Sequence, residues 1–407
     1  MTALRAYTAL RTADELAAQM LNVAIAWYVY AATHNPMSLA YVGLAQFLPN
    51  MAMTLFAGHV ADRCDRRAVV RISAFAQMTG VAAFGWWCAT GRASAAPVYL
   101  LVLALGLARA LAAPAASAML PQLVGAKDLP RAVAVSSSGF QIAGIAGPAV
   151  GGLLYAFSAP ALFAAVAGLY GFALLCTRGL KTAMPSAATK GNALAGIRYV
   201  RSNRLLLSLI SLDLFAVLLG GVTALLPIYA SDILHTGPAG LGWLRCAPGA
   251  GAALVGLLLT RRAAARGAGR RMLACVAGFG LATIGFAIST NFWLSFVALL
   301  AAGGFDMVSM VIRQTLIQTA TPDAMRGRVS AVSWIFIGAS SELGEFESGV
   351  TAAWFGAMPA ALLGGLGTLA VVALWAAIFP ELRNCDTVGD ESSHACRSQA
   401  ASANQAA

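Results

Sequence analysis

Charge is scarce in this sequence. Only 11% of its 407 residues are Asp, Glu, Lys or Arg, where a soluble domain carries about 25%. Acids are the rarer sign, 16 against 27 basic residues, and Lys occurs three times, so Arg supplies nearly all of the formal +11. A soluble globular fold is excluded on this count, because 59% of the chain is hydrophobic and a single core has no place for it. A lipid-facing protein needs that surface. Catalytic spacings are missing as well. There is no P-loop, no HExxH and no GxSxG, and the four His are scattered, which speaks against a membrane enzyme and a nucleotide-driven pump. Seven cysteines (Cys64, Cys88, Cys176, Cys246, Cys275, Cys385 and Cys396) form no CxxC pair. They read as small buried hydrophobes, with neither a disulfide framework nor a metal site. The first apolar stretch is too long for the h-region of a cleavable leader, so it is expected to stay as the first span.

What the chain has instead is long apolar runs. Leu16 to Ala61 contains no Asp, Glu, Lys or Arg, enough for two spans of about 20 residues, broken near Thr33-His34-Asn35-Pro36. Ala132 to Thr177 repeats this with a turn near Ser158-Ala159-Pro160, and Met272 to Phe305 with a turn at Ser289-Thr290-Asn291. Single spans are expected near Val69–Thr90, Pro97–Ala113, Leu205–Ala230 and Leu241–Thr260. Ser348 to Pro380 holds the end of one further span and all of another. The sum is an all-α membrane protein with twelve transmembrane helices in two six-helix bundles.

Arginine sets the orientation. One set of loops holds Arg63, Arg66, Arg67, Arg71, Lys127, Arg131, Arg178, Arg198, Arg201, Arg261, Arg270, Arg326 and Arg328, whereas the alternate loops hold only Arg92. By the positive-inside rule the basic loops and both termini face the cytoplasm. Short basic loops between spans also remove the case for nucleic-acid binding. The expected division is a bundle over 1–180, a cytoplasmic linker over 181–204, a second bundle over 205–383 and a disordered tail over 384–407, rich in Ser, Ala and Gln.

The two halves echo one another. Gly58, followed by Asp62 and Arg63, has its counterpart in Gly256, followed by Thr260 and Arg261, 198 positions on. Arg131-Ala132-Val133-Ala134-Val135-Ser136 matches Arg328-Val329-Ser330-Ala331-Val332-Ser333 at an offset of 197. Agreement of the offsets at half the chain length marks a parallel repeat, the build of transporters that bind substrate between two halves.

The loop Gly58-His59-Val60-Ala61-Asp62-Arg63-Cys64-Asp65-Arg66-Arg67 resembles the signature between the second and third helices of the major facilitator superfamily. Asp65 stands where many members have Gly. The resemblance implies a gate latch on the cytoplasmic side, built from Gly58, Asp62, Arg63, Arg66 and Arg67. Taken alone, Gly58 permits close helix approach, and Asp62 among arginines reads equally as a local ion-pair partner. In the fifth span, Gly144-Ile145-Ala146-Gly147-Pro148-Ala149-Val150-Gly151-Gly152 is similar to the superfamily motif associated with exporters. Physically, Gly147, Pro148, Gly151 and Gly152 form a kinked small-residue face, which suits ordinary helix packing as well. Pro121-Gln122-Leu123-Val124, Thr321 to Arg328 and Gly364-Gly365 through Arg383 narrow the resemblance to the enterobactin-exporter-like drug-efflux branch. That branch implies proton-driven efflux of siderophores or hydrophobic drugs from a bacterial inner membrane, without cofactor or metal, by a monomer.

Ionisable groups at bilayer depth cost several kcal/mol and mark cavities or partners. The candidates are Asp14 and Glu15 in the first turns of span one, Asp213 in span seven, Arg245 in span eight, and Asp306 with Arg313 two turns on in span ten, Asp306 being either a proton-coupling or cavity group or the partner of Arg313 in a structural ion pair. Arg109 in span four is a cavity candidate by location. In span eleven Glu342 and Glu345 stand three apart, on one face, with Glu347 beside them. Two close acids in low dielectric do not both stay charged, so one is placed to carry a proton; pairing with Arg245 or Arg109 is the alternative. Gln19, Asn22, Gln46, Asn50 and Gln141 are expected on the cavity wall. Trp27, Tyr28, Tyr30 and Trp334 are either stacking surfaces for an aromatic substrate or belt residues. The leading reading is a proton-coupled exporter of a small amphipathic molecule. An uptake permease of the same fold is the alternative, and the repeat argues against a sensor or structural role.

Overall fold

The computed structural model describes residues 2–90, 96–125, 127–180, 193–259 and 267–383, with the side chains of 50, 54–63 and a few others outside that description. It is all-helical there. Six long helices come first: α1 (Thr2–Thr33), α2 (Pro36–Arg63), α3 (Arg66–Ala89), α4 (Ala96–Leu123), α5 (Leu129–Phe157) and α6 (Ala159–Cys176). A short amphipathic α7 (Ala193–Ser202) precedes α8 (Arg204–Gly220), a one-turn α9 (Leu226–Ile228) and a π-helical turn at Tyr229–Ile233. Then come α10 (Gly237–Leu259), α11 (Ala268–Ala287), α12 (Phe292–Ala320), α13 (Asp323–Phe355), α14 (Ala357–Ile378) and a terminal α15 (Pro380–Arg383).

Local chemistry sets the ends. Asp65 caps α3 by accepting from the Arg67 amide, Ser158 caps α6 through the Ala161 amide, and Asn203 and Asn291 cap α8 and α12. Each side chain satisfies an amide that the first helical turn leaves free. Gly356, at φ 90°, makes the reversal between α13 and α14 that a residue with a Cβ would resist. The chain reverses at Thr33–Asn35, Thr90, Ser158, His235, Ser289–Asn291 and Gly356 at one end of the bundle. The basic residues Arg66, Arg67, Arg131, Arg178, Arg201, Arg204, Arg270 and Arg326 collect at the other. We call these the arginine-poor and arginine-rich ends.

Among the described residues, ten stretches are long and apolar enough to cross a membrane. The sequence reading expects twelve. The difference lies in α2 and α13, which at 28 and 33 residues exceed the ~20 needed to span. The described side chains of α2 stop at Met53, and α13 carries Arg326, Arg328, Glu342, Glu345 and Glu347, so apolar composition does not single them out. Other boundaries also moved. α1 begins at Thr2 rather than near Leu16, and α4 runs on to Leu123 through Pro114 and Pro121. Part of the expected linker, 193–202, is helical. The segments 181–192 and 384–407 lie outside the described residues.

Helix pairing repeats between the first six and last six long helices. α1 packs on α5 and α6, α2 on α4, and α3 on α4 and α6. In the second set α8 packs on α13 and α14, α10 on α12, and α11 on α12 and α14, the same pairs in the same order. The sets meet through α5 against α10 and α2 against α13, which the same correspondence exchanges. Large apolar side chains cover the outside, and Trp86, Phe157, Trp293 and Trp354 are exposed at the arginine-poor end, as a belt at a lipid–water boundary requires. The described cysteines Cys64, Cys88, Cys176, Cys246 and Cys275 are free thiols.

The α5–α10 crossing is backbone on backbone. A Cβ on Gly152 would lie 2.7 Å from the Gly242 Cα, and one on Gly151 would lie 2.7 Å from the Met20 Cα of α1. Gly152→Ala is therefore expected to destabilise by about 1–3 kcal/mol through overpacking. Gly144→Ala, with nothing within 4 Å of the new methyl, should be neutral or gain up to about 1 kcal/mol from helix propensity. Thermal unfolding of the two purified variants checks this; equal behaviour would refute the packing account.

Candidate functional site

A cavity of about 450 Å³ lies among α1, α2, α3, α4 and α6, with Phe140 of α5 and Glu342 of α13 closing its side. It extends along α1 from Arg11 to Ile25, about 20 Å at 1.5 Å per residue. Its polar wall includes Asp14, Glu15, Asn22, Gln46, Gln77, Arg109 and Glu342, together with Arg11, Ser73 and Tyr170. Because α1 starts at Thr2, Asp14 and Glu15 stand more than three turns inside the helix, not in its first turns. Membrane-flanking charges would be solvated; here Glu15 is 4% exposed.

The buried charges are paired across helices. Glu15 accepts from the Arg109 Nη2 at 3.0 Å and from the Gln19 Nε2 at 2.7 Å, tying α1 to α4. Asp14 lies within electrostatic reach of Arg109 and lines the cavity with Gln77 of α3. In the second half Asp213 of α8 pairs with Arg313 of α12, both nearly fully buried. That overturns the Asp306–Arg313 ion pair that the sequence offered as one alternative. The two stand seven apart on one helix face, yet the buried carboxylate of α8 occupies the guanidinium. Asp306 remains in electrostatic range of both but is exposed. Glu15 and Asp213 are 198 positions apart, the spacing that relates Gly58 to Gly256. Each pair joins the first and fourth long helix of its set. Applying the offset to Glu15 would have found this relation from sequence.

Glu342 and Glu345 do not form one acid pair. Glu342 lines the cavity, while Glu345 sits 3.9 Å from the Arg245 Nη2 of α10. Arg245 also donates from Nη1 to the Asn22 carbonyl of α1 at 3.1 Å. Glu347 accepts from Thr351 one turn on.

Contacts between the two sets run from mid-bundle to the arginine-poor end. Gly249 meets Ile145, Gly242 meets the Pro148 carbonyl and Gly152, Gly43 meets Glu345, and Gly349 meets Ala40. At the far end the Tyr30 hydroxyl of α1 donates to Asp232 in the π-helical turn. Asp232 is not among the sequence candidates, because nothing in the sequence sets this acid between two apolar runs against Tyr30. The fifth-helix motif divides its work. Gly147 and Gly151 pack on Gln19 and Met20 of α1, and Gly152 and Pro148 pack on α10.

The other sequence candidates scatter. Arg66 and Arg67 donate to the carbonyls of Ala118 and Arg178, within the first six helices. The side chains of Gly58, Asp62, Arg63 and Asn50 lie outside the described ones. Trp334 is 62% exposed, away from the cavity, because its position on α13 faces outward. Gln141 is exposed too, and its neighbour Phe140 lines the cavity under Arg11, whose guanidinium carbon is 5.0 Å from the ring centroid. Trp27 packs against the apolar core, and Tyr28 packs edge-on against Phe84.

A helical membrane bundle with repeated packing and a polar, charged chamber, lined by its first six helices and Glu342 of the second set, is the build of a multi-pass membrane transporter. The chain belongs to the transmembrane secretion effector family of the major facilitator superfamily, whose sequence profile matches residues 5–405. It is 28% identical to the enterobactin exporter EntS of Escherichia coli O1:K1 / APEC over 359 residues, 86% of this chain and 82% of that one. Among solved structures it superposes on a peptide transporter POT with a TM-score of 0.75 at 11% identity, covering 94% of this chain and 95% of that one. The nucleoside transporter NupG gives 0.71 at 15%, covering 93% and 99%. At such identities the structures speak for the fold alone.

Breaking a buried ion pair from one side leaves an uncompensated charge at a cost of about 3–5 kcal/mol, whereas replacing both partners by apolar groups is often neutral. Asp213→Asn and Arg313→Met are each expected to lower the unfolding midpoint strongly. The double variant Asp213→Leu/Arg313→Met should recover most of the loss. A double variant no better than the worse single would show that the pair is not what stabilises α8 against α12.

Proposed function

We propose that this transporter exports a small amphipathic molecule, of the siderophore or hydrophobic-drug type, in exchange for protons, opening its chamber to one membrane face at a time. One observation carries the reading: the chamber holds Asp14, Glu15 and Glu342 beside Arg109 at bilayer depth. Charged carboxyls there are costly, so groups able to lose charge by taking a proton are suited to couple proton movement to cargo. Asp213, Asp306 and Glu345 extend that set beyond the chamber, with Arg245 as the cation beside Glu345. The likeness to EntS supports export over uptake and a siderophore-like cargo.

The orientation follows from charge. The arginine-rich end is cytoplasmic by the positive-inside rule, which puts Thr2 and Arg383 on the cytoplasmic side of a bacterial inner membrane. The inter-half contacts then seal the outer side, and the cavity is reached from the cytoplasm. In the opposite state Gly58, Asp62, Arg63, Arg66 and Arg67 would latch the cytoplasmic side. The two six-helix bundles, 1–180 and 205–383, are the bodies that rock about the α5–α10 contact at Pro148 and Gly152, while Gly147 and Gly151 hold α5 to α1 within the first body. The chain acts without cofactor, as a monomer.

Everted membrane vesicles carrying the protein, energised to an acidic lumen, test this. Adding enterobactin or ethidium is expected to dissipate the proton gradient, read by acridine-orange fluorescence, and to load the lumen with the compound. Glu15→Gln and Asp14→Asn should each reduce the dissipation about tenfold or more, since coupled steps lose rate exponentially with lost interaction energy. Loading that needs no gradient, or movement out of the vesicles, would turn the reading toward uptake; no flux of either compound would refute it.

A further inference from the structure

Arg245 of α10 joins three helices from both halves. Its Nη1 donates to the Asn22 carbonyl of α1, in the first half, at 3.1 Å. Its Nη2 lies 3.9 Å from Glu345 of α13, in its own half. Both side chains are largely enclosed, at 14% and 26% exposure. Asn22 also lines the cavity, and so does Glu342, one turn from Glu345. The contacts around this arginine are those that close the arginine-poor end: Gly43 of α2 packs on Glu345, and α1, α5 and α10 meet beside it.

We infer that Arg245 and Glu345 form an interlock that holds the arginine-poor end shut while the carrier is empty and unprotonated. The Asn22 carbonyl is a neutral acceptor and does not by itself repay the desolvation of a buried guanidinium; the Glu345 carboxylate supplies the balancing charge. A proton on Glu345 removes that charge and frees Arg245 to leave the carbonyl. A cargo polar enough to bind either partner, or to displace Asn22 at the cavity wall, does the same. The empty carrier with charged Glu345 keeps the bond and does not open. Exchange is then obligatory, because either ligand opens the interlock and neither can be skipped. This rests on the proton-coupled reading above but concerns a positioning residue, Arg245, that reaches the chamber only through its neighbours.

Among the described residues, the groups around Glu345 leave it one charged partner, Arg245. On α2 the described stretch Pro36–Met53 offers only Tyr41 as a titratable side chain, and that ring is exposed. On α8 Asp213 is occupied by Arg313. α14 has no titratable residue. On α13 itself Glu342 faces the cavity and Glu347 accepts from Thr351. On α12 Asp306 belongs to the Asp213–Arg313 group, and beyond α8 Asp232 is held by Tyr30.

The test is a distance measurement across the arginine-poor end. Spin labels go on Asn35→Cys and His235→Cys, both exposed and in different halves, in full-length protein otherwise stripped of cysteine and held in lipid nanodiscs. Without cargo, the wild-type background should show one short distance near pH 8 and a growing long-distance fraction near pH 5.5, by about threefold or more. Glu345→Gln and Arg245→Lys should show the long fraction at both pH values. Lys keeps the charge but cannot reach both partners with a fork. Glu381→Gln, in a surface pair with Arg204, should match the wild-type background. Unfolding midpoints of all variants separate release from collapse. A short distance in Glu345→Gln near pH 8, or a background with no pH response, overturns the interlock. Because no cargo is used, this outcome is independent of whether enterobactin or ethidium is transported.

Discussion

Hydrocarbon gives a charged side chain no solvent, so every ion within the bundle must find its counter-ion on another helix. That constraint organises the interior. Glu15 with Arg109 fixes α1 to α4. Asp213 with Arg313 fixes α8 to α12. Arg245 with Glu345 fixes α10 to α13. Apolar packing alone discriminates weakly between helix faces when the surroundings are as apolar as leucine. The pairs add direction, because each is satisfied at one rotation and one depth of each helix.

Glycine does the complementary work where the two sets of helices meet. The α5–α10 crossing brings Gly152 against Gly242 without a side chain between them, and Gly349 of α13 meets Ala40 of α2 with only that methyl between the backbones. Such contacts are close but carry little polar commitment, so they can part and re-form. The polar ties across the same region, Tyr30 to Asp232 and Arg245 to the Asn22 carbonyl, are few and specific. A sealed end of this kind combines good packing with a small number of bonds that a ligand can address.

Most of the architecture was legible because it follows from two strong signals, apolar length and arginine asymmetry. The hairpins at Thr33–Asn35, Ser158 and Ser289–Asn291 fall where the polar breaks predicted them. Apolar runs defined by the absence of charge misplaced the start of α1, since Arg11, Asp14 and Glu15 interrupt the run and yet lie inside the helix. The same blindness hid the site. A sequence lists Asp14, Arg109 and Glu342 far apart, and only the α1–α4 and α2–α13 packing brings them to one chamber. Spacing along one helix suggested an Asp306–Arg313 pair and a Glu342–Glu345 pair. Partners on neighbouring helices took Arg313 and Glu345 instead, because a contact across helices buries both charges while one along a helix leaves them at its surface.

The seventh crossing is not one rod. It stops at Gly220, turns through Gly221 and Val222, and resumes in short 3₁₀, α and π turns up to Ile233. The Gly221 carbonyl, freed from the helix, accepts from Ser348 of α13. Below the break, Asp213 anchors the segment to α12; above it, Asp232 anchors it to α1. A rigid helix would force both anchors to shift as one lever. With a joint at Gly221 and Val222, the lower piece can tilt with its own bundle while the upper piece stays fastened to the opposite one, so bending here need not strain the ion pair below or the hydrogen bond above.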